Sequence, residues 1–363
     1  MIGSFKQKIF TVTTIIALVL AGVSGNLWAA DDHSHDHNDH QESKEFEAGS
    51  FIMDHIADAY DWHITTFGVK HISIPLLIIV KSEETGWHFF SSAKFHHGHD
   101  SYKGFVIAHD GPYKNKIIEV LSTGEVVRPI DLSVTKNVLA IFVSMALMLW
   151  LFLSVAKNYT RRAGKAPTGL QSWVEPLIIF IRDDVAVSSI GEKKYEKYMP
   201  YLLTVFFFIF FNNIMGLIPI FPGGANVTGN IAVTLVLALI TFVITLLSGN
   251  LNYYGHIFWP PVPHALKILM IPIEIIGVFI KPFVLMVRLF ANITAGHIIA
   301  LGFFSLIFIF GSIHVFAGYG VSVVTIAFTV FMTLLELLVA FIQAYVFTFL
   351  SALYFGMAVE EHH

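Results

Sequence analysis

The sequence predicts a mainly α, polytopic membrane protein with about five membrane helices, the last two long and tilted, plus a surface amphipathic helix and a small β-rich extracytoplasmic module. Three observations predict it. Hydrophobic residues make up 55% of the 363 residues and charged ones only 13%, about half of the ~25% usual in soluble domains, so much of the surface needs no water. Five apolar runs, at 138–156, 201–218, 230–247, 268–310 and 321–354, are each long enough for a ~30 Å hydrocarbon core. From about Glu45 to Asp131, by contrast, the composition is that of a water-soluble domain.

The same composition excludes several classes. A net charge of -4, spread along the chain, gives no reason to expect nucleic acid. There are no cysteines, so no disulfide, iron-sulfur cluster or thiol nucleophile is expected. No phosphate-binding glycine loop or dinucleotide fingerprint is present, so any ATP chemistry belongs to partners and no cofactor is expected.

Taken in order, residues 1–30 carry Lys6 and Lys8, an apolar stretch at 9–23, and Ala29-Ala30 before Asp31. Basic, apolar, small is the order of a secretory signal peptide. An uncleaved anchor is the other reading, because Trp28 sits awkwardly beside such a cleavage site. Residues 31–44 form a flexible tail rich in His and Asp, with His33, His35, His37 and His40. Imidazoles of this kind bind zinc, copper or nickel weakly, but a flexible tract fixes no geometry, and a solvated tail is the plainer reading. His96, His97 and His99 around Gly98 stand the same way.

The module at 45–135 opens on a short helical pattern at 51–60. Apolar runs follow at 72–80, 87–90, 105–107, 117–121 and 125–127, separated by Gly86, Gly104, Gly111-Pro112 and Thr123-Gly124. Short apolar runs between turn residues read as strands. At about 90 residues its core is modest.

The membrane domain, 136–363, begins with the span at 138–156, followed at once by Lys157, Arg161, Arg162 and Lys165. By the positive-inside rule this end is cytoplasmic and the module lies outside, in agreement with a signal peptide. Residues 171–187 alternate apolar positions with Glu175, Arg182, Asp183 and Asp184, too polar to span and suited to the cytoplasmic surface. The runs at 201–218 and 230–247 form a hairpin around Pro219, Pro222, Gly223 and Gly224, with Asn212, Asn213 and Asn230 near its outer half. These amides are either interhelical glue or the lining of a water path. Residues 248–263, with Tyr253, Tyr254 and Trp259, read as an interfacial loop. The run at 268–310 holds about 43 residues where ~20 suffice, so its helix tilts, kinks or lies partly along the membrane, with Pro282, Gly296 and Gly302 as candidate bends. A turn at 311–320 precedes a last helix to about Met357, leaving the C-terminus cytoplasmic.

Two apolar helices carry polar stripes. Glu274, Lys281 and Arg288 are spaced by sevens, as are Glu336 and Gln343, which is about two helical turns and keeps each set near one face. An Arg at bilayer depth costs from about 3 to above 10 kcal/mol unless it meets protein or water, so its position is a functional hypothesis; bundle-stabilising ion pairs are the alternative.

The stretch Pro282-Phe-Val-Leu-Met-Val-Arg288-Leu-Phe-Ala-Asn292-Ile-Thr-Ala-Gly-His297, with Glu336, Gln343-Ala-Tyr-Val-Phe and Gly229-Asn230-Ile-Ala-Val-Thr, closely resembles subunit a of the rotary F-type ATP synthases. The similarity runs from about Asn137 to the C-terminus and leaves out the extracytoplasmic module. The resemblance implies a proton-translocating stator subunit in the bacterial inner membrane, without a catalytic site of its own. It implies partners in the c-ring, the b subunits of the peripheral stalk, the rest of the synthase and the lipid bilayer. It also implies two half-channels leading to the c-ring carboxyls, with Arg288 as the arginine between them. A guanidinium suits that post, because it favours a passing carboxylate yet does not release its own proton. At 4 Å and an effective dielectric near 20 the attraction is about 4 kcal/mol.

By the same resemblance His297 and Glu336 line the outer half-channel, Glu274 lies near the cytoplasmic one, and Gln343 holds Arg288 by hydrogen bonds. Asn213, Asn230 and Asn292 line water or position the arginine. Many members hold an acid where His297 stands and a His where Glu336 stands; the exchange suggests that the two touch and relay protons. Gly216 stands where some members have an acid, so no carboxylate serves there, and Tyr354 matches a family tyrosine without an assigned role. Two other classes compete: a secondary transporter with a substrate site around Arg288, which would lead one to expect repeats in both halves, and an anchored metal-binding module, which leaves the polar stripes unexplained.

Overall fold

The computed structural model describes residues 49, 52–53, 56–67, 70–98, 100–109, 111–161, 165–218, 221 and 223–360. The expected signal peptide, the His/Asp tail with His33, His35, His37 and His40, and His99 lie outside them. The chain divides into two compact units, one including residues 61–130 and the other residues 46–60 with 131–363.

In the first unit β1 (Asp61–Phe67) and β2 (Lys70–Pro75) form an antiparallel hairpin. Strands β3 (Leu77–Ser82), β4 (Gly86–Ser91) and the short β8 (Ile130–Asp131) form a sheet of order β4-β3-β8, and β5 (Phe105–Ile107), β6 (Ile117–Val120) and β7 (Val126–Val127) a sheet of order β5-β6-β7. Alternation sets the faces: Ile78, Val80 and Ser82 of β3 are buried while Leu77 and Lys81 are exposed, as period-two strands require. Phe95, from a 3-10 helix at Ser92–Gly98, fills the core with Phe90, Phe105 and Ile117. The Glu119 carboxylate, 5% exposed, accepts hydrogen bonds from the Ser82 hydroxyl and, at 3.4 Å, the Glu83 N–H.

Two sequence expectations change here. The single run at 72–80 is two strands, because Pro75 has no N–H to continue a ladder and the Leu76 N–H is instead given to Ser92 Oγ at 2.9 Å. Residues 52, 53 and 56 are helical, within the expected 51–60 pattern, but β1 after it was not anticipated; its mixture of Asp, His and Thr hides the alternation.

The second unit is a helical bundle. Helix α1 (Lys136–Arg161) starts on a cap: the Asn137 N–H donates to Asp58 Oδ1 at 3.0 Å and the Lys136 N–H to the Ala59 carbonyl at 2.9 Å, satisfying donors that a helix start leaves open. Helix α2 (Leu170–Phe180) runs through a π-helical segment (Ile181–Val187) into α3 (Ser188–Ile190). This is the expected surface helix, with an unforeseen wide turn that turns Ile181, Val185 and Ala186 inward and Arg182, Asp183 and Asp184 outward. Arg182 Nε pairs with Asp183 at 2.7 Å, and that guanidinium holds the Asp183 carboxyl below its ordinary range.

Helices α4 (Tyr195–Leu217), α5 (Ile231–Ser248), α6 (Leu251–Phe258), α7 (His264–Ile313) and α8 (Val315–Val359) complete it. Among the described residues five helices, α1, α4, α5, α7 and α8, are long and apolar enough to cross a membrane. The core between them is built from Leu202, Phe206, Phe207, Leu285, Phe347 and Phe355. At 50 and 45 residues and 1.5 Å per residue, α7 and α8 measure about 75 and about 68 Å, far beyond a perpendicular crossing.

Two more expectations are corrected, at 248–263 and at 311–320. The region 248–263 contains a helix, α6, rather than only a loop. Helix α7 stays helical through Pro282, Gly296 and Gly302, the candidate bends; one missing N–H does not interrupt a segment whose other backbone groups have no water to turn to. The turn expected at 311–320 is the single residue His314, whose Nδ1 accepts the Phe316 N–H at 3.2 Å. Gly311 and Gly318 serve helix approach instead: a Cβ on Gly318 would lie 2.8 Å from Gly311 Cα.

Candidate functional site

Helix α7 carries Glu274, Lys281, Arg288 and Asn292 on its length, and the fold treats them unequally. Glu274 and Lys281 are half-buried, whereas Arg288 and Asn292 are exposed. Leu285, Met286 and Leu289 beside Arg288 are buried, so the arginine stands at the margin of the packed face. Among the described residues it makes no hydrogen bond and no ion pair; its electrostatic neighbour is Tyr354 of α8. The Lys281 ammonium lies 5.7 Å from the centre of the same Tyr354 ring, a cation–π arrangement. Tyr354 thus has both cations in its neighbourhood, a setting that matching it to a family tyrosine did not suggest.

Gln343 is 4% exposed on α8, and no hydrogen bond joins it to Arg288. At the other end of the stripe, burial raises the Tyr253 phenol above its ordinary range, with Tyr254 and then Glu274 adding to the effect. Tyr253 of α6 is therefore close enough to Glu274 to feel its carboxylate, a proximity not visible in sequence.

A second polar group gathers where α4, the segment before α5, α7 and α8 meet. Asn213 is 4% exposed; its Nδ2 donates to the Ala340 carbonyl at 3.4 Å and its Oδ1 accepts from the Thr228 hydroxyl. Asn226 Oδ1 accepts the Gly229 N–H at 3.0 Å, and Thr294 Oγ1 donates to the Gly229 carbonyl at 3.5 Å. Asn230 caps α5, accepting the Ala232 N–H at 3.0 Å, a helix-start role. Asn212 Oδ1 and Asn226 Nδ2 are buried without a partner, a state that costs about 1–3 kcal/mol each.

His297 and Glu336 border this group. A Cβ on Gly216 would lie 3.7 Å from His297 Nε2, and one on Gly296 2.6 Å from Glu336 Oε1. His297 therefore occupies the neighbourhood that an acid at 216 would share, and Glu336 packs over a glycine that leaves room for its carboxylate. No hydrogen bond or ion pair joins His297 to Glu336 among the described residues, so the exchanged pair is not in polar contact. Thr228, Asn226 and Thr294 were missed by sequence reasoning, although Thr228 and Asn226 flank the quoted Gly229-Asn230 motif.

Along α7, His297 lies nine residues beyond Arg288 and Glu274 fourteen before it, about 14 and about 21 Å at helical rise. Titratable groups at two depths thus flank a fixed cation. Among the described residues no three His, Asp or Glu side chains converge as a metal cage would require.

The family model described as ATP synthase A chain matches residues 138–356. The chain belongs to that family. A protein named ATP synthase subunit a from Chlorobium phaeobacteroides is 43% identical over 311 residues, covering 81% of this chain and 86% of the relative. Its namesake from Pelodictyon phaeoclathratiforme is 46% identical over 286 residues, 73% of this chain and 81% of the relative. The one from Chloroherpeton thalassium is 44% identical over 240 residues, 64% and 69% respectively. Residues 51–135 match a domain of unknown function. The chain is accordingly a multi-pass membrane protein, and α1, α4, α5, α7 and α8 all lie mainly within the matched residues.

Proposed function

We propose that this chain is the proton-translocating stator subunit of a rotary ATP synthase. It works beside a ring of c subunits, held by the b subunits of the peripheral stalk, in a bacterial inner membrane. It supplies no catalytic site of its own; it gives protons two half-channels that do not meet. The observation that carries the reading is Arg288: a guanidinium on a spanning helix, exposed and, among the described residues, without hydrogen bond or ion pair. At membrane depth such a group needs a partner, and a c-ring carboxylate is the complementary one.

In this reading a c-ring carboxyl takes a proton from the outer path, formed by His297, Glu336, Asn213 and Asn230. It gives the proton up towards Glu274 on the cytoplasmic side and passes Arg288 as a carboxylate. Arg288 stabilises that anion and blocks direct proton flow between the paths, because it does not itself exchange protons. Gln343 and Asn292 keep the neighbourhood of the arginine polar. The basic residues Lys157 and Arg161 in the last turns of α1 and Lys165 beyond it support an extracytoplasmic module and a cytoplasmic C-terminus. A secondary transporter around Arg288 lacks comparable support, since the family match extends over 138–356.

The test is ATP-driven proton pumping in inverted vesicles holding the assembled complex, wild type against Arg288→Ala. Pumping lost with assembly intact is the expected result. Pumping at the wild-type rate overturns the reading.

A further inference from the structure

Away from the polar stripes, a cavity of about 490 Å³ opens where the start of α4 meets the ends of α5 and α8. Lys193, Lys194 and Lys197 line it with a single carboxylate, Glu196. Its walls are fixed. Lys194 Nζ donates to the Val359 carbonyl at 2.9 Å, so this cation is committed to the last carbonyls of α8. Asn250 ties the same helix end from the other side, its N–H donating to the Ala358 carbonyl at 3.0 Å and its Nδ2 to the Glu360 carbonyl at 2.7 Å. Tyr198, 4% exposed and stacked on Phe355 with centroids 4.9 Å apart, closes one side.

Two cations remain. Lys193 and Lys197 are exposed, and among the described residues neither is in an ion pair; Lys197 lies 5.4 Å from the Tyr198 ring. The cavity volume falls in the range of small-ligand sites. Its position is at helix ends, where spanning segments leave the hydrocarbon. Counting crossings puts it on the same side as Lys157, Arg161 and Lys165. Basic pockets between spanning helices on the cytoplasmic side are where anionic headgroups are held.

We infer that this cavity binds a phosphate group, carried by an anionic phospholipid of the adjoining leaflet or by free inorganic phosphate. Lys193 and Lys197 contact the phosphate oxygens. Lys194, Asn250 and Tyr198 keep the walls in place, and Lys194 offsets the negative end of α8 that would otherwise repel an anion. The site depends on the chain crossing the membrane, not on the proton path through Arg288.

The experiment uses the assembled complex in nanodiscs of phosphatidylcholine with a minority of phosphatidylglycerol, and counts phosphatidylglycerol retained after washing by mass spectrometry. Lys193→Ala with Lys197→Ala is expected to weaken retention about thirtyfold, two surface cations being removed. Lys157→Ala with Lys165→Ala, on the same side but outside the cavity, is expected to leave it unchanged. Equal losses in both pairs overturn the inference in favour of general surface charge. Release of the lipid by millimolar inorganic phosphate assigns the site to free phosphate as well; no release assigns it to the headgroup. Wild-type complex with a photoreactive phosphatidylglycerol gives a readout free of folding effects: label in the peptides spanning 193–198 and 248–250 supports the site, and label confined elsewhere overturns it.

Discussion

Glu119 in the β module and Arg288 in the membrane bundle are both charged groups with apolar neighbours. The first is 5% exposed, and its carboxylate is occupied by the Ser82 hydroxyl and the Glu83 N–H. The second has buried Leu285, Met286 and Leu289 around it but is itself exposed, without hydrogen bond or ion pair among the described residues. A buried charge answered from within its own unit is architecture, because removing either side leaves the other unsatisfied. A charge at the edge of a spanning helix with no such answer among the described residues is the one that the proposed function pairs with a group outside the chain. The sequence makes both positions conspicuous, but only the fold separates them.

The largest expected effect sharpens that comparison. Arg288→Lys keeps the positive charge but replaces a group that does not release its proton by one that does when buried. ATP-driven pumping is expected to fall to the level of Arg288→Ala while the complex still assembles. Retention of half the wild-type rate or more would show that charge alone suffices there.

Next comes a purely structural break. A Cβ at Gly356 would lie 2.0 Å from the Ser189 carbonyl oxygen, so Gly356→Val forces α8 away from α3. Overpacking of this kind costs about 1–3 kcal/mol, and a lower melting temperature of the complex with less subunit incorporated is expected. Unchanged melting would mean that the two helices separate freely.

Smaller and confined to the module is Glu119→Ala, which strands the Ser82 hydroxyl and the Glu83 N–H and costs about 1–3 kcal/mol of local stability. Faster amide exchange in β6 is expected, with proton pumping unaltered. If pumping fell as it does for Arg288, Glu119 would belong to function and the contrast between the two charges would collapse.

What the sequence made legible follows from what is periodic or costly. Apolar length located the five spanning helices with ends no more than six residues off, because the hydrocarbon core sets a minimum length. The sevenfold spacing and the price of an intramembrane charge singled out Glu274, Lys281, Arg288, Glu336 and Gln343. Contacts between distant segments were not legible. That Tyr354 neighbours both Lys281 and Arg288, that Tyr253 feels Glu274, and that Thr228 answers Asn213 depend on how α4, α6, α7 and α8 pack. Single-residue turns also escaped: Gly311 and Gly320 look like turn residues, yet His314 makes the turn because its side chain can cap α8. The π-helical segment at Ile181–Val187 has no composition that announces it.

The smallest effect tests the half of the site that the chain does answer for itself. Thr228→Val removes the hydroxyl that donates to Asn213 Oδ1 while keeping shape and volume nearly constant. Such polar links inside membrane bundles are worth about 0.6 to about 2 kcal/mol, so the fold is expected to survive. If the amide group serves only as glue, the loss appears as a small drop in melting temperature and pumping is unchanged at every external pH. If Asn213 helps carry protons past His297 and Glu336, its freed oxygen turns towards them, and pumping shifts in its dependence on the pH of the outer compartment. Measuring both quantities in one variant decides between the two roles that the amides of this bundle allow.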